Sequence, residues 1–323
     1  MTRVIFLGTD KRAISVLEIL LKNHEVVGVI TQPDKPNPTF IADFADKHKI
    51  PVLKPEKLDE SAVTWIKDKK PEVLVTAYFA QLIPPELLNL TPSGILVIHP
   101  SLLPRWRWGS PVQATLVAGE KNTGVTIMKM DEKFDHGPIV AIRTTSVHDT
   151  DTQESLYIRL FEMGAVLLNE VLEKYVSEKL QPIKQDHKAA TFAKHLKKGD
   201  GFIEGKLLEA SLTGQTGEGM LIIPFALDHD KDPLALTPSP ETIFNYIRAV
   251  TPWPGAYTRV KDKPSLPLRG KGESVKQLKI LKCHLEESLP LNPSRLTLDL
   301  VQLEGKKPVT WKQFKEGYPE AKF

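Results

Sequence analysis

The chain has 323 residues, more than one ordinary core holds and enough for two domains. Its 41% hydrophobic and 26% charged content excludes a disordered, fibrous or membrane-embedded class. A net charge of +3 permits a polyanionic partner without requiring one, and the single Cys283 rules out an intramolecular disulfide or a thiolate metal cluster, which suits a reducing compartment.

Residues 1–6 lead straight into a strand pattern with no apolar signal core, and nothing approaches the run of about 18 apolar residues a membrane span needs. A cytoplasmic protein without a membrane anchor is expected. The first half then alternates apolar runs at 4–7, 26–30, 52–53 and 73–77 with helical periodicity at 13–22, 40–47 and 61–67. That is the rhythm of a parallel sheet buried on both faces. Another apolar run at 95–98 follows a Pro-rich bend, residues 125–130 and 139–142 read as later strands paired around a turn, and 153–179 reads as a long closing helix. Gly8 follows the first strand, but no glycines occupy the later dinucleotide-fingerprint positions and no Walker A motif occurs, so nucleotide binding is not supported.

A catalytic domain over residues 1–180 is therefore expected, followed by a polar, basic interdomain linker at 181–200 that carries Lys184, Lys188, Lys194, Lys197 and Lys198. Residues 201–323 turn Pro-rich, with a helix at 241–250 and strands at 256–260, 278–283 and 296–303, which suggests a small β-barrel. Residues 213–240 carry no clear pattern.

Ligands of doubly wound sheets sit beyond the carboxyl ends of strands, which makes His99 a candidate. The stiff Pro-Ser-Leu-Leu-Pro loop at 100–104 follows it, and Asp135 sits in the turn after the strand at 125–130. An imidazole beside a carboxylate suits acyl or formyl transfer, one group bonding an oxyanion and the other taking a proton. Taken alone, His99 reads equally as a core histidine and Asp135 as a turn residue. Arg105-Trp106-Arg107-Trp108 reads as a nucleic-acid contact or as a cleft rim. The histidines show no zinc spacing, and no metal is expected.

The segments His99-Pro100-Ser101-Leu102-Leu103-Pro104-Arg105-Trp106-Arg107, Gly124-Val125-Thr126-Ile127-Met128-Lys129-Met130-Asp131 and Phe134-Asp135 resemble the folate-dependent formyltransferase family. So do Gly8-Thr9, Thr31-Gln32-Pro33-Asp34, residues 194–203 and Thr251-Pro252-Trp253-Pro254-Gly255-Ala256-Tyr257-Thr258, and the resemblance spans most of the chain. It implies a Rossmann-like N-terminal domain, an OB-like C-terminal domain, and transfer of a formyl group from 10-formyltetrahydrofolate to the α-amine of methionyl initiator tRNA by a monomeric enzyme. It also implies His99 and Asp135 as catalytic residues, Ser101, Leu102, Leu103, Pro104, Tyr78 and Phe134 around the folate, and Arg105, Arg107, Lys194, Lys197 and Lys198 against tRNA.

Several positions depart from the family pattern. Val97 stands where its transferases have an oxyanion-bonding asparagine, a loss typically worth about a hundred- to a thousandfold in rate. The related 10-formyltetrahydrofolate hydrolase has an aliphatic residue there. Trp108 replaces a glycine, Phe79-Ala80 alter a turn, and the short segment after Pro36, Asn37-Pro38-Thr39, lacks the basic, glycine-containing loop expected against tRNA. A hydrolase, a sugar-amine N-formyltransferase and a non-catalytic tRNA- or folate-binding protein therefore stand as alternatives.

Overall fold

The computed structural model describes residues 1–35, 37–262, 274–286, 294–319 and 321–323, so Pro36 lies outside the described residues. In chain order the elements are β1 (Arg3–Leu7), α1 (Ile14–Asn23), β2 (Glu25–Ile30), α2 (Phe40–Lys47), β3 (Val52–Leu53), α3 (Glu60–Lys69), β4 (Val73–Thr76), α4 (Pro85–Leu88), β5 (Ile95–His99), α5 (Pro111–Val117), β6 (Asn122–Lys129), β7 (Ile139–Ser146) and α6 (Gln153–Val176). They continue with β8 (Phe192–Ala193), α7 (Gly205–Leu212), β9 (Leu221–Leu227), β10 (Pro233–Leu236), α8 (Pro240–Val250), β11 (Ala256–Asp262), β12 (Ser274–Glu286), β13 (Arg295–Leu303), β14 (Val309–Thr310) and α9 (Trp311–Gly317).

The chain forms two compact units. The first takes Met1–Pro111, Asn122–Ser146 and Ser155–Phe192. Its seven-stranded sheet has the order β3-β2-β1-β4-β5-β6-β7, parallel as far as β5, after which β6 and β7 run antiparallel. Local chemistry starts the helices: the Thr39 hydroxyl accepts the Ala42 N–H at 3.1 Å to open α2, and Asp59 accepts the Ser61 N–H at 3.0 Å to open α3. Ile5, Leu7, Ile30, Leu74 and Ile95 pack against Ala62 and Ile66 of α3 and against Leu87 and Leu88 of α4. The other face of the sheet is approached by α6 at Gly164, where an added Cβ would lie 2.7 Å from Ile98 Cγ2. Burial of that many aliphatic side chains, at roughly 1.5–3 kcal/mol each, fixes the register of the central strands.

The second unit takes Val112–Lys121, Val147–Glu154 and Ala193–Phe323. It holds a four-stranded antiparallel sheet in the order β11-β12-β13-β14. β9 and β10 pair antiparallel in a second sheet. The Ser239 hydroxyl accepts the Thr242 N–H at 3.1 Å to open α8, whose Ile243, Ile247 and Val250 are buried. The expected pairing of an α/β Rossmann-like domain with a smaller β domain is thus met. Among the described residues no helix is long and apolar enough to cross a membrane.

The expected basic linker is not bare chain in its first part. Ile183 exchanges both backbone hydrogen bonds with Ile139 at 2.7 and 2.8 Å, and the Thr191 carbonyl accepts the Arg107 N–H at 2.9 Å.

Candidate functional site

His99 is the last residue of β5, at the carboxyl end of the parallel strands, and its side chain is buried. Asp135 arrives by a less obvious route. Because β6 runs antiparallel, Lys129 pairs with Leu96, near the start of β5, and the chain must turn back across the sheet to bring a carboxylate to His99. The loop between β6 and β7 does so. An added Cβ at Gly137 would sit 1.9 Å from the Lys129 carbonyl oxygen, so only glycine lets the loop close this tightly. Asp135 itself has φ +51°.

The result is a pair: His99 Nδ1 lies 3.6 Å from Asp135 Oδ1. His99 Nε2 lies 3.0 Å from the Trp106 carbonyl oxygen, and since a carbonyl only accepts, Nε2 carries a proton and Nδ1 is the nitrogen facing the carboxylate. At 3.6 Å the two groups face each other just beyond direct hydrogen-bond distance. Asp135 Oδ2 is held from the other side, accepting the Trp108 N–H at 2.8 Å.

The loop after His99 is braced from within. The Ser101 hydroxyl donates to the Arg105 carbonyl at 2.6 Å, the Thr126 hydroxyl donates to the Ser101 carbonyl at 2.7 Å, and the Leu103 N–H donates to the same Thr126 oxygen at 3.1 Å. Ser101 and Leu103 are buried, whereas Leu102 and Pro104 are half-buried. Trp106 donates its N–H to the Thr191 hydroxyl at 2.9 Å. Trp108 has φ +84°, and its ring lies against Phe192 with centroids 4.5 Å apart.

At the end of β4, Tyr78 accepts a hydrogen bond from Arg12 Nη2 at 2.8 Å, and the guanidinium lies over its ring at 4.2 Å. Burial is the largest single influence on Arg12 and opposes its charge, but the hydrogen bond to Asp10 together with the charge interactions of Tyr78, Asp10 and Tyr157 outweighs it and raises its pKa, while burial raises that of the Tyr78 phenol. Phe134, beside Asp135, is 70% exposed, and Leu82 on the loop after β4 is 73% exposed. Val97 is half-buried on β5, in register with Thr76 and Met128. Its isopropyl group offers no hydrogen bond.

The expected phosphate-facing cations divide. Arg105, Lys194, Lys197 and Lys198 are exposed, but Arg107 is only 4% exposed. Its guanidinium donates to Gln185 Oε1 from Nε at 3.2 Å and from Nη2 at 2.7 Å, and Nη2 also donates to His187 Nδ1 at 2.9 Å. Burial depresses the Arg107 pKa, with Asp135 and Asp131 opposing. Arg107 is therefore committed to the interior of its unit. Gln185 was hidden in the sequence by the basic stretch around it, where nothing sets it apart from the neighbouring Gln181.

A paired imidazole and carboxylate at the carboxyl end of a parallel sheet, behind an internally bonded loop, is an arrangement for acyl-type transfer, and the chain belongs to the formyl transferase family of one-carbon transferases. The family's formyl transferase model matches residues 2–172, and the model of the formyl transferase C-terminal domain matches residues 234–319. The particular relatives narrow this further. The methionyl-tRNA formyltransferase of Bacillus subtilis is 35% identical across 80% of this chain and 74% of its own length, and that of a Sulfurihydrogenibium species is 32% identical across 98% and 97%. Among solved structures, an N-formyltransferase from Helicobacter canadensis in complex with folinic acid and dTDP-3-aminofucose shares the fold at TM-score 0.61 and 16% identity, covering 96% of this chain and 99% of that one.

Proposed function

We propose that this chain transfers the formyl group of 10-formyltetrahydrofolate to the α-amine of methionyl initiator tRNA. The observation that carries the reading is the end-to-end likeness to the Sulfurihydrogenibium relative, across both units. On this reading the amine attacks the formyl carbon, and His99 stabilises the oxyanion that forms. Asp135 takes the proton lost by the amine. Collapse re-forms the carbonyl, breaks the bond from carbon to N10 and returns a proton to that nitrogen.

The residues present fit the donor. Exposed Leu82 and Phe134 and the half-exposed Tyr78 offer apolar faces to a flat heteroaromatic ring, and Ser101, Leu102, Leu103 and Pro104 line the adjoining loop. Exposed Arg105, Lys194, Lys197 and Lys198 offer positive charge to phosphates. The enzyme works as a monomer in the cytoplasm.

Val97 favours a second reading. The related 10-formyltetrahydrofolate hydrolase carries an aliphatic residue at this position beside the same histidine and aspartate, and on that likeness water replaces the amine and the chain would hydrolyse 10-formyltetrahydrofolate to tetrahydrofolate and formate. The two readings separate when the purified chain is given the donor with and without methionyl initiator tRNA, and tetrahydrofolate and formylmethionyl-tRNA are counted together. Transfer predicts equal yields of both products, dependent on the tRNA. Folate release at the same rate without tRNA contradicts it and favours hydrolysis.

A further inference from the structure

We propose that Gln185, oriented by the buried guanidinium of Arg107, is the positioning residue that sets the Asp135 carboxylate for proton transfer. The inference rests on the reading of Asp135 as the proton acceptor. Gln185 is 6% exposed, and both faces of its amide are used. Its Nε2 donates to the Asp135 carbonyl at 3.0 Å and to the Gly137 carbonyl at 2.7 Å, bracketing the tight turn that presents the catalytic side chain. Its Oε1 takes two N–H groups from Arg107.

This leaves the amide one workable orientation. Flipped, its oxygen would face two carbonyl oxygens and its NH2 would face a guanidinium that only donates, so every hydrogen bond would become a repulsion. The orientation is thus set by Arg107, and the amide passes it on to the backbone of residues 135–137. Asp135 needs such a restraint, because φ +51° is an unfavourable conformation for a residue with a side chain and holds only where neighbours impose it.

The same short segment grips Asp135 twice. Arg107 holds its main chain through Gln185, and the next residue, Trp108, donates its N–H to the carboxylate at 2.8 Å. A buried cation bonded to neutral Gln185 and His187 is a costly way to cross-link a loop, since burying charge without a bonded counter-charge opposes folding. Its position beside the reacting carboxylate gives it a purpose beyond packing.

The test is a kinetic cycle on the full chain with formyl donor and amine acceptor, using Gln185→Ala, Asp135→Ala and the double variant, with thermal melting to confirm folding. Gln185→Ala is expected to lower kcat between about ten- and a hundredfold while KM stays within about threefold, as for a misplaced catalytic group. In the Asp135→Ala background the same change is expected to have no further effect. Arg107→Lys, which keeps the charge but loses the fork, is expected to lower kcat in the same way and gives an independent reading if Gln185→Ala does not fold. Unchanged kcat in a folded Gln185→Ala variant, or equal losses with and without Asp135, overturns the proposal. Wild-type turnover in Asp135→Ala overturns the underlying assignment and the proposal with it, whereas an inactive Asp135→Ala beside an unaffected Gln185→Ala overturns the proposal alone.

Discussion

Four residues with side chains hold positive φ around the cleft: Tyr78 at +50°, Trp106 at +56°, Trp108 at +84° and Asp135 at +51°. Each such conformation costs on the order of 1–3 kcal/mol, and their clustering on the loops around His99 is what a site that fixes its groups in advance requires. Trp108 shows how one residue meets that cost. The backbone there must present its N–H to Asp135, a shape glycine adopts freely, and the indole offsets the strain by lying against Phe192. Trp108→Gly and Trp108→Ala both lose the ring contact, but only alanine keeps the strain. The glycine variant is therefore expected to be the more stable of the two by about 1 kcal/mol in denaturant unfolding. Equal stabilities would show that the backbone is unstrained. The sequence puts His99 after a strand and Asp135 in a turn able to return to the same sheet edge, but not the 3.6 Å approach of the two, which depends on how tightly the loop recrosses an antiparallel strand. Arg107 was misleading for a related reason, since a cation between two tryptophans looks the same in sequence whether it faces solvent or Gln185.

At the scale of elements, regions with strong periodicity or caps matched the sequence reading closely. The bounds expected for α2 agree with the observed Phe40–Lys47, where Thr39 and a full amphipathic turn mark the start, and α8 begins one residue before its expected bound, behind Ser239. Short elements escaped: α4, α5 and α9 each span too few turns for a periodic signal, α7 matches α2 in length but starts without a side-chain cap, and β9 and β10 lie in the stretch left unassigned. The junction of α1 and β2 carries a pH-dependent element. His24 ends α1 in a buried position, and burial lowers its pKa, with Glu173 partly opposing. In the unfolded chain a histidine titrates near the ordinary value of 6.5, so below about that pH the unfolded state binds more protons than the folded one. Stability is expected to fall as pH drops from about 7 towards 5, and His24→Gln is expected to flatten that slope in chemical denaturation. An unchanged slope would place the acid sensitivity elsewhere.

Across the whole molecule, the two units do different kinds of work. The first carries the His99–Asp135 pair and its bracing, while the second supplies the exposed lysines 194, 197 and 198 and an antiparallel sheet without a comparable buried ionisable pair in its described residues. Matches to the formyl transferase family fall on both, so the likeness covers the machinery and its companion unit alike. The account's central claim is that proton transfer and oxyanion stabilisation at one pair of side chains drive the reaction. It is tested most directly by single-turnover formyl transfer in His99→Ala and Asp135→Ala, each compared with wild type at saturating donor. The account predicts a loss of at least about a hundredfold in both, with melting temperatures close to that of the wild type. A folded variant of either kind that transfers at the wild-type rate would contradict it.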